Sequence, residues 1–207
     1  MPHERQPWGV ARTMVWLAAA FAAGSIPTGR LLTRVLTGSS LADLGDGKAG
    51  SSNVARSVGF KAGAAVLAFD AAKAYVPATA ARLAGAGENT VAALAIASVV
   101  GHITMVKGRG AASALGGSFA IDPATMAFGS ASLVGGAVVH RHAQSVAATA
   151  VALPVISLAI HKSPARALRV ALLIGVLLTA RLRGSAGAGW PTTAAVWRNR
   201  FWLDRDG

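Results

Sequence analysis

The residues with the clearest chemical capacity lie in a segment, 44–56, that reads Leu-Gly-Asp-Gly-Lys-Ala-Gly-Ser-Ser-Asn-Val-Ala-Arg. Glycine lets the backbone approach a ligand closely, while Lys48, Asn53 and Arg56 add side-chain donors. Backbone N–H groups and side chains of this kind can converge on one anion. The composition therefore indicates a phosphate-binding loop, although the Gly-Lys-Ser/Thr ending of a Walker loop is missing. A flexible connector is the alternative.

A second segment with similar composition, 101–113, reads Gly-His-Ile-Thr-Met-Val-Lys-Gly-Arg-Gly-Ala-Ala-Ser. Lys107 and Arg109 are separated by Gly108, and Gly110 stands directly before a predicted helix. Cations beside the N–H groups of a helix start favour an anion at that point. Simple anchoring of an inner loop by positive charge would explain the cations but not the glycines.

The composition indicates an integral membrane protein. Of 207 residues, 53% are hydrophobic and 14% are charged, and the mean hydropathy is +0.50. A soluble domain has about 25% charged residues, so this chain requires a lipid environment. The net charge of +12 suits anionic lipid headgroups or phosphorylated substrates. Nucleic-acid binding is not predicted, because the charges are scattered between apolar runs.

Several kinds of chemistry are not expected from the composition. The chain has no cysteine, which excludes disulfides, thiolate metal sites and thiol nucleophiles. The histidines show little ligand-like spacing beyond His140-x-His142, so neither a metal nor another cofactor is predicted. His102 is interpreted as a packing residue rather than a catalytic base.

The pattern of apolar runs predicts an all-α polytopic bundle of about seven transmembrane helices, within a range of five to seven. The run 110–139 is too long for one simple span, and Asp122-Pro123 divides it, because proline breaks helices. The predicted spans are 13–29, 62–81, 89–106, two segments within 110–139, 143–160 and 167–180.

The distribution of positive charge predicts that the N-terminus lies outside and the C-terminus inside. With this orientation, thirteen of the twenty Lys and Arg residues fall in inner loops and six in outer segments. An N-terminal signal peptide with its apolar region at 14–23 is the alternative interpretation of the first span.

The chain is predicted to comprise one transmembrane domain, 1–185, and a cytoplasmic tail, 186–207. Trp190, Ala194, Trp197 and Phe201 recur at helical spacing, so the tail is interpreted as an amphipathic helix lying on the membrane surface. A disordered tail is the alternative.

Four groups of residues occur in an order found in a known family. They are Gly24-Ser25-Ile26-Pro27, then Gly-x-Gly-x-x-Gly-x-x-Asn-x-x-Arg from Gly45 to Arg56, then Leu67-x-x-Asp70-x-x-Lys73, then Gly101-His102 with Gly108-Arg109-Gly110-Ala111-Ala112-Ser113. Over about residues 20–120 the chain resembles the bacterial membrane glycerol-3-phosphate acyltransferases of the PlsY type. The resemblance implies a seven-helix plasma-membrane enzyme with its N-terminus outside. Such an enzyme moves an acyl chain from acyl phosphate to the 1-hydroxyl of glycerol 3-phosphate, making lysophosphatidic acid for phospholipid synthesis.

Three motifs depart from the family pattern. Asp46 and Lys48 stand where the family has serine and asparagine. The second motif is shortened, so either Lys107 or Arg109 replaces the functional lysine, and the glycines favour Arg109. The family's C-terminal motif of a His and an Asn is absent, and Leu182 and Ser185 stand where these two residues would fall.

The resemblance and the loop chemistry together imply the site. The predicted catalytic residues are Asp46, Arg56, Arg109 and Ser145. Ser145 corresponds approximately to a family serine after the fifth span, and Asp46 is hypothesised to be a base toward the acceptor hydroxyl. The predicted substrate-binding residues are Gly45, Gly47, Lys48, Gly50, Asn53, Lys107, Gly108 and Gly110.

Two other functions are compatible with these residues. A non-catalytic or altered-acceptor relative that binds lipid or acyl donor would explain the motif departures. A small transporter would explain Asp70 and Lys73, because charged residues inside a membrane span usually have a functional task. The favoured interpretation of that pair is a structural ion pair at i and i+3 that holds the helix near the cytoplasmic loops.

Overall fold

The computed structural model describes residues 8–184 and 188–205, and the regular elements in these ranges are helices. The α-helices are α1 (Val10–Gly24), α2 (Thr28–Thr37), α3 (Ser51–Ser57), α4 (Phe60–Leu83), α5 (Glu88–Gly101), α6 (Ala111–Ile121), α7 (Pro123–Val138), α8 (His142–His161), α9 (Pro164–Arg183) and α10 (Ala194–Arg198). A short 3-10 helix covers Leu41–Asp43, and single π-helical turns cover His102–Val106 and Asn199–Leu203. The predicted all-α class is confirmed.

Each predicted apolar segment contains a helix. Three helical stretches are long and apolar enough to cross a membrane by length and composition: Val10–Thr37, Glu88–Val106 and His142–His161. The number of crossings and the side of the N-terminus remain predictions.

The predicted break at Asp122-Pro123 is confirmed, because α6 ends at Ile121 and α7 begins at Pro123. The buried Asp122 carboxylate accepts hydrogen bonds from the Thr125 backbone N (3.1 Å) and from Thr125 Oγ1 (2.7 Å). These bonds satisfy donors in the first turn of α7, as an N-cap carboxylate does. Ser157 on α8 donates to the same carboxylate at 2.6 Å and so links α8 to the break.

The first predicted span, 13–29, is divided into α1 and α2 around Pro27. Proline lacks an N–H and restricts the residue before it, so the helix does not continue through Ile26. The Ile26 carbonyl oxygen instead accepts a hydrogen bond from Lys73 Nζ on α4 at 2.5 Å. The chain therefore turns at the point where a charged group of α4 binds its backbone.

Helix α5 lies at the centre of the bundle and contacts α1, α4, α6 and α9. Two glycines bring helices close together. A Cβ added at Gly116 on α6 would lie 2.6 Å from the Ala71 carbonyl carbon on α4, and one added at Gly24 on α1 would lie 2.7 Å from the Ser98 carbonyl carbon on α5. Small residues at such crossings let backbones approach closely, as is typical of membrane bundles.

The C-terminal tail packs on one end of the bundle, where its π-helical turn contacts α8 and α9. The predicted helical face began at Trp190, whereas the helix begins at Ala194. Thr193 Oγ1 accepts from the Val196 backbone N at 3.2 Å and caps the helix there. Within the tail, the Trp197 ring stacks on the buried Phe201 ring at a centroid distance of 4.9 Å. Contact of the tail with a membrane surface stays a prediction.

Candidate active site

A polar cavity of about 770 Å³ lies where the two glycine-rich loops, the α7–α8 junction and the tail meet. Nine of the twelve predicted site residues line it: Asp46, Lys48, Gly50, Asn53, Arg56, Lys107, Gly108, Arg109 and Gly110. The fold therefore brings together two loops that are about 50 residues apart in the sequence.

The first loop is organised around the buried amide of Asn53. Its Nδ2 donates to the carbonyl oxygens of Leu44 (3.0 Å) and Lys48 (3.1 Å), and its Oδ1 accepts from Asp46 N (3.2 Å) and Ser57 Oγ (3.2 Å). These four bonds use both donors and both lone pairs of the amide. Asn53, predicted to bind substrate, lines the cavity, and these four hydrogen bonds hold the conformation of its own loop.

Gly45 allows this loop to close over Asn53. Its φ is +60°, and an added Cβ would lie 2.5 Å from Ser57 Oγ. A side chain at this position would therefore meet both backbone strain and a steric clash. Gly45 and the neighbouring Gly47 are not among the described residues that line the cavity, so their contribution is to the backbone conformation.

Asp46 and Arg56 form an ion pair on the cavity wall, in which Arg56 Nη2 donates to Asp46 Oδ2 at 2.9 Å. The other carboxylate oxygen accepts from the Lys48 backbone N at 3.2 Å. The Arg56 side chain is 61% exposed and that of Asp46 is 39% exposed, so both remain accessible from the cavity. The Arg56 guanidinium therefore offsets the charge of the Asp46 carboxylate.

Two helices begin at the cavity wall. Helix α6 starts after Gly110, whose φ of +74° is favourable for glycine, and α3 starts after Gly50. The N–H groups in the first turn of a helix point toward its N-terminal end, which here is the cavity end, and neither start has a side-chain cap hydrogen bond. Helix dipoles and N–H groups favour negative charge at such positions.

The second loop carries Arg109 into the same cavity. Arg109 Nη1 donates to the Asp204 backbone carbonyl oxygen at 2.7 Å and forms an ion pair with Asp204 Oδ1. Gly108 leaves room for the His102 ring, because an added Cβ would lie 2.5 Å from His102 Nε2. His102 is thus packed beneath the loop, as predicted, although it also contributes to the cavity wall.

The predicted ion pair of Asp70 and Lys73 is confirmed. Lys73 Nζ donates to Asp70 Oδ1 at 2.5 Å and also bonds Thr28 Oγ1, while Thr28 Oγ1 donates to Asp70 Oδ1 at 2.7 Å. The pair therefore connects α4 to the first residue of α2. This network supports the structural interpretation over a transport pathway, because each charge is compensated within the bundle.

Ser145, on α8, makes its described contacts where α7 and α8 pack together. Its hydroxyl donates to the His142 carbonyl oxygen at 2.9 Å, and Gly136 on α7 packs against it. Ser145 is not among the described residues that line the cavity. Ser145 was predicted because it corresponds approximately to a family serine after the fifth span, and its side chain lies in the α7–α8 contact.

Sequence reasoning missed the tail's contribution to the cavity. Leu203, Asp204 and Arg205 line it, together with Arg183 from the end of α9. Asp204 is 95 residues from Arg109 in the chain, and no spacing pattern connects the two. Leu182 lies in the last turn of α9, while Ser185 lies outside the described residues.

A narrow apolar cleft of about 120 Å³ adjoins the polar cavity. The two share five lining residues: Ser51, Ser52, Ala111, Ala112 and His142. The cleft is otherwise lined mainly by aliphatic side chains, among them Leu67, Leu115, Leu153, Ile174 and Leu177. One continuous region thus offers cations and N–H groups beside an apolar surface.

The chain is similar in sequence to known proteins. A family model described as glycerol-3-phosphate acyltransferase matches residues 14–187. A glycerol-3-phosphate acyltransferase of Geobacter sulfurreducens is 33% identical over 172 residues, which cover 80% of this chain and 84% of that protein. One from Anaeromyxobacter sp. (strain K) is 44% identical over 109 residues, covering 48% of this chain and 54% of that protein, so that match spans about half of the relative's length.

A solved structure shares the fold. The crystal structure of PlsY, an integral membrane glycerol 3-phosphate acyltransferase, in its glycerol 3-phosphate form has a TM-score of 0.73 and 24% sequence identity to this chain. The match covers 82% of this chain and 88% of that one. The helical bundle described above is thus an integral membrane fold. With the family model matching most of its length, the chain belongs to the glycerol-3-phosphate acyltransferase family.

Proposed function

We propose that this protein transfers an acyl chain from acyl phosphate to the 1-hydroxyl of glycerol 3-phosphate, releasing lysophosphatidic acid and inorganic phosphate. The observation that carries the proposal is the polar, cation-lined cavity that adjoins an apolar cleft. Both substrates carry phosphate, and one also carries a hydrocarbon chain. The cavity supplies cations and helix N-termini for the phosphates, and the cleft supplies an apolar surface for the chain.

The chemistry requires positioning more than acid–base groups. The hydroxyl oxygen of the acceptor forms an ester bond with the acyl carbon, and the bond from that carbon to the phosphate oxygen breaks. The hydroxyl proton passes to Asp46, and inorganic phosphate leaves with its electron pair. Arg56, Arg109 and the N–H groups at the start of α6 hold the phosphates and offset their charge.

We further propose that the protein lies in the plasma membrane of a bacterium, with its N-terminus outside and the cavity open to the cytoplasm. The excess of Lys and Arg in the loops that form the cavity supports this orientation. Acceptor and donor phosphates would then reach the site from the cytoplasm, while the acyl chain lies toward the lipid.

The proposal is tested by measuring lysophosphatidic acid made from acyl phosphate and glycerol 3-phosphate by the purified protein in lipid. Arg56→Ala should lower kcat/KM for glycerol 3-phosphate about tenfold, because it removes a charged donor from a partly solvated position. Arg34→Ala is the matched control, since Arg34 is an exposed arginine on α2 outside the cavity wall. Absence of product from well-folded protein that still binds acyl phosphate would favour the non-catalytic relative instead.

The base role of Asp46 has its own test. Asp46→Asn keeps the size and the acceptor for Lys48 N but removes the charge that would take the hydroxyl proton. We expect kcat to fall about tenfold, a modest effect for a base because acyl phosphate has a good leaving group. The exposed Asp43, outside the cavity wall, provides the control Asp43→Asn. An unchanged kcat in Asp46→Asn would show that the proton leaves by another route.

A further inference from the structure

The tail is fastened to the bundle by two buried arginines that bind each other's segments. Arg181 on α9 donates through Nε to the carbonyl oxygens of Arg200 (3.1 Å) and Phe201 (2.9 Å), and through Nη2 to that of Ala143 (2.9 Å). Arg200 donates in return through Nη1 to the carbonyl oxygens of Leu182 (2.9 Å) and Gly189 (2.5 Å). Arg181 and Arg200 are each only 4% exposed.

Burial of two guanidinium groups is costly unless they are well hydrogen-bonded. These reciprocal hydrogen bonds compensate that cost and hold the tail against the bundle. They join the last turn of α9 to the π-helical turn of the tail. The turn ends at Leu203, and the next residue, Asp204, has a left-handed φ of +56°. The fastening therefore determines where the Asp204 backbone and side chain lie.

Asp204 lies against one edge of the Arg109 guanidinium. Both its backbone carbonyl oxygen and its Oδ1 accept from the same nitrogen, Arg109 Nη1. Arg181 Nη1 also lies 3.9 Å from Asp204 Oδ1. A two-point contact with one nitrogen restricts rotation of the guanidinium plane, which a single ion pair does not.

We infer that Asp204 is a positioning residue that holds Arg109 in the orientation needed by the reacting phosphate. This inference rests on the proposed function. The tail thereby forms a wall of the active site rather than an appendage to it. A restrained Arg109 guanidinium loses less conformational entropy when the transition state forms. The Asp204 carboxylate should therefore increase kcat more than it affects ground-state binding.

The restraint itself can be measured without turnover. Asp204→Asn keeps the shape and the backbone contact but removes the charge. In this variant an arginine-selective reagent such as phenylglyoxal, followed by peptide mass spectrometry, should modify Arg109 about fivefold faster than in the wild type. Asp43→Asn, which removes an exposed carboxylate outside the cavity wall, should leave that rate unchanged. An unchanged Arg109 rate in Asp204→Asn would overturn the inference.

Steady-state kinetics then distinguish an Asp204 that positions Arg109 from one that only competes with the substrate phosphate for it. We expect Asp204→Asn to lower kcat about tenfold while KM for glycerol 3-phosphate stays the same or falls, because the cavity gains net positive charge. Asp204→Glu should recover part of the loss. A lower KM with unchanged kcat would overturn the inference, since Asp204 would then only compete with the phosphate. If the wild type made no product but Arg109 still reacted faster in Asp204→Asn, the proposed function would fail while the restraint of Arg109 by Asp204 stood.

Discussion

Replacing Arg109 by alanine is expected to lower kcat/KM for glycerol 3-phosphate by about 10²- to 10³-fold. The Arg109 side chain is 14% exposed, lines the cavity and lies beside the start of α6. A charged donor at a largely desolvated position stabilises developing negative charge more than an exposed one. We therefore expect a larger loss than for the more exposed Arg56.

The measurement is the steady-state rate of lysophosphatidic acid formation in lipid, with acyl phosphate saturating. Lys107→Ala is the matched comparison, because Lys107 lines the same cavity two residues earlier but is exposed. The sequence left open which of the two replaces the family lysine. A greater loss in Lys107→Ala than in Arg109→Ala would give that role to Lys107. Arg109→Lys should recover only part of the activity, since an ammonium cannot reproduce the planar donor array.

Replacing Gly116 by alanine is expected to destabilise the bundle by about 3 kcal/mol or more. The added methyl group would lie 2.6 Å from the carbonyl carbon of Ala71 and 2.9 Å from its Cα, both backbone atoms of α4. Neither atom can move without shifting its helix. Helices α4 and α6 would have to separate, and this would displace the N-terminus of α6, which faces the candidate site.

Gly175→Ala is the matched control, because Gly175 is also inside a helix, α9, and an added Cβ would have no heavy atom within 4 Å. Alanine there should be neutral or stabilising by up to about 1 kcal/mol. Thermal unfolding in detergent, with the fraction of monodisperse protein as a second readout, compares the two variants. Equal stability of Gly116→Ala and Gly175→Ala would contradict the close α4–α6 contact.

The sequence alone was sufficient to predict the helical membrane class. Without water in the bilayer, backbone polar groups must bond within the segment, so apolar runs of sufficient length form helices whatever surrounds them. The break at Asp122-Pro123 was equally predictable, since proline stops a helix locally. The glycine, hydroxyl and cation content of 44–56 and 101–113 likewise indicated an anion site before any geometry was known.

Only the tertiary structure decided which of these residues face the cavity. Asn53 lines it, yet both donors and both lone pairs of its amide are used by hydrogen bonds within its own loop. Ser145, predicted from its approximate correspondence to a family serine, is not among the described residues that line the cavity, and its hydroxyl bonds the His142 carbonyl oxygen in the α7–α8 contact. Side-chain direction depends on how neighbouring helices pack, and local sequence does not contain that information.

The contact of Asp204 with Arg109 is the clearest case, because 95 residues separate the two. Local propensity and spacing determine helices, breaks and loop composition, since those depend on neighbours along the chain. A contact across the fold depends on where the packed helices end and on how the buried Arg181 and Arg200 orient the tail. The sequence by itself thus determined the membrane helices and the chemistry available in the loops, while packing decided which charges meet in the cavity.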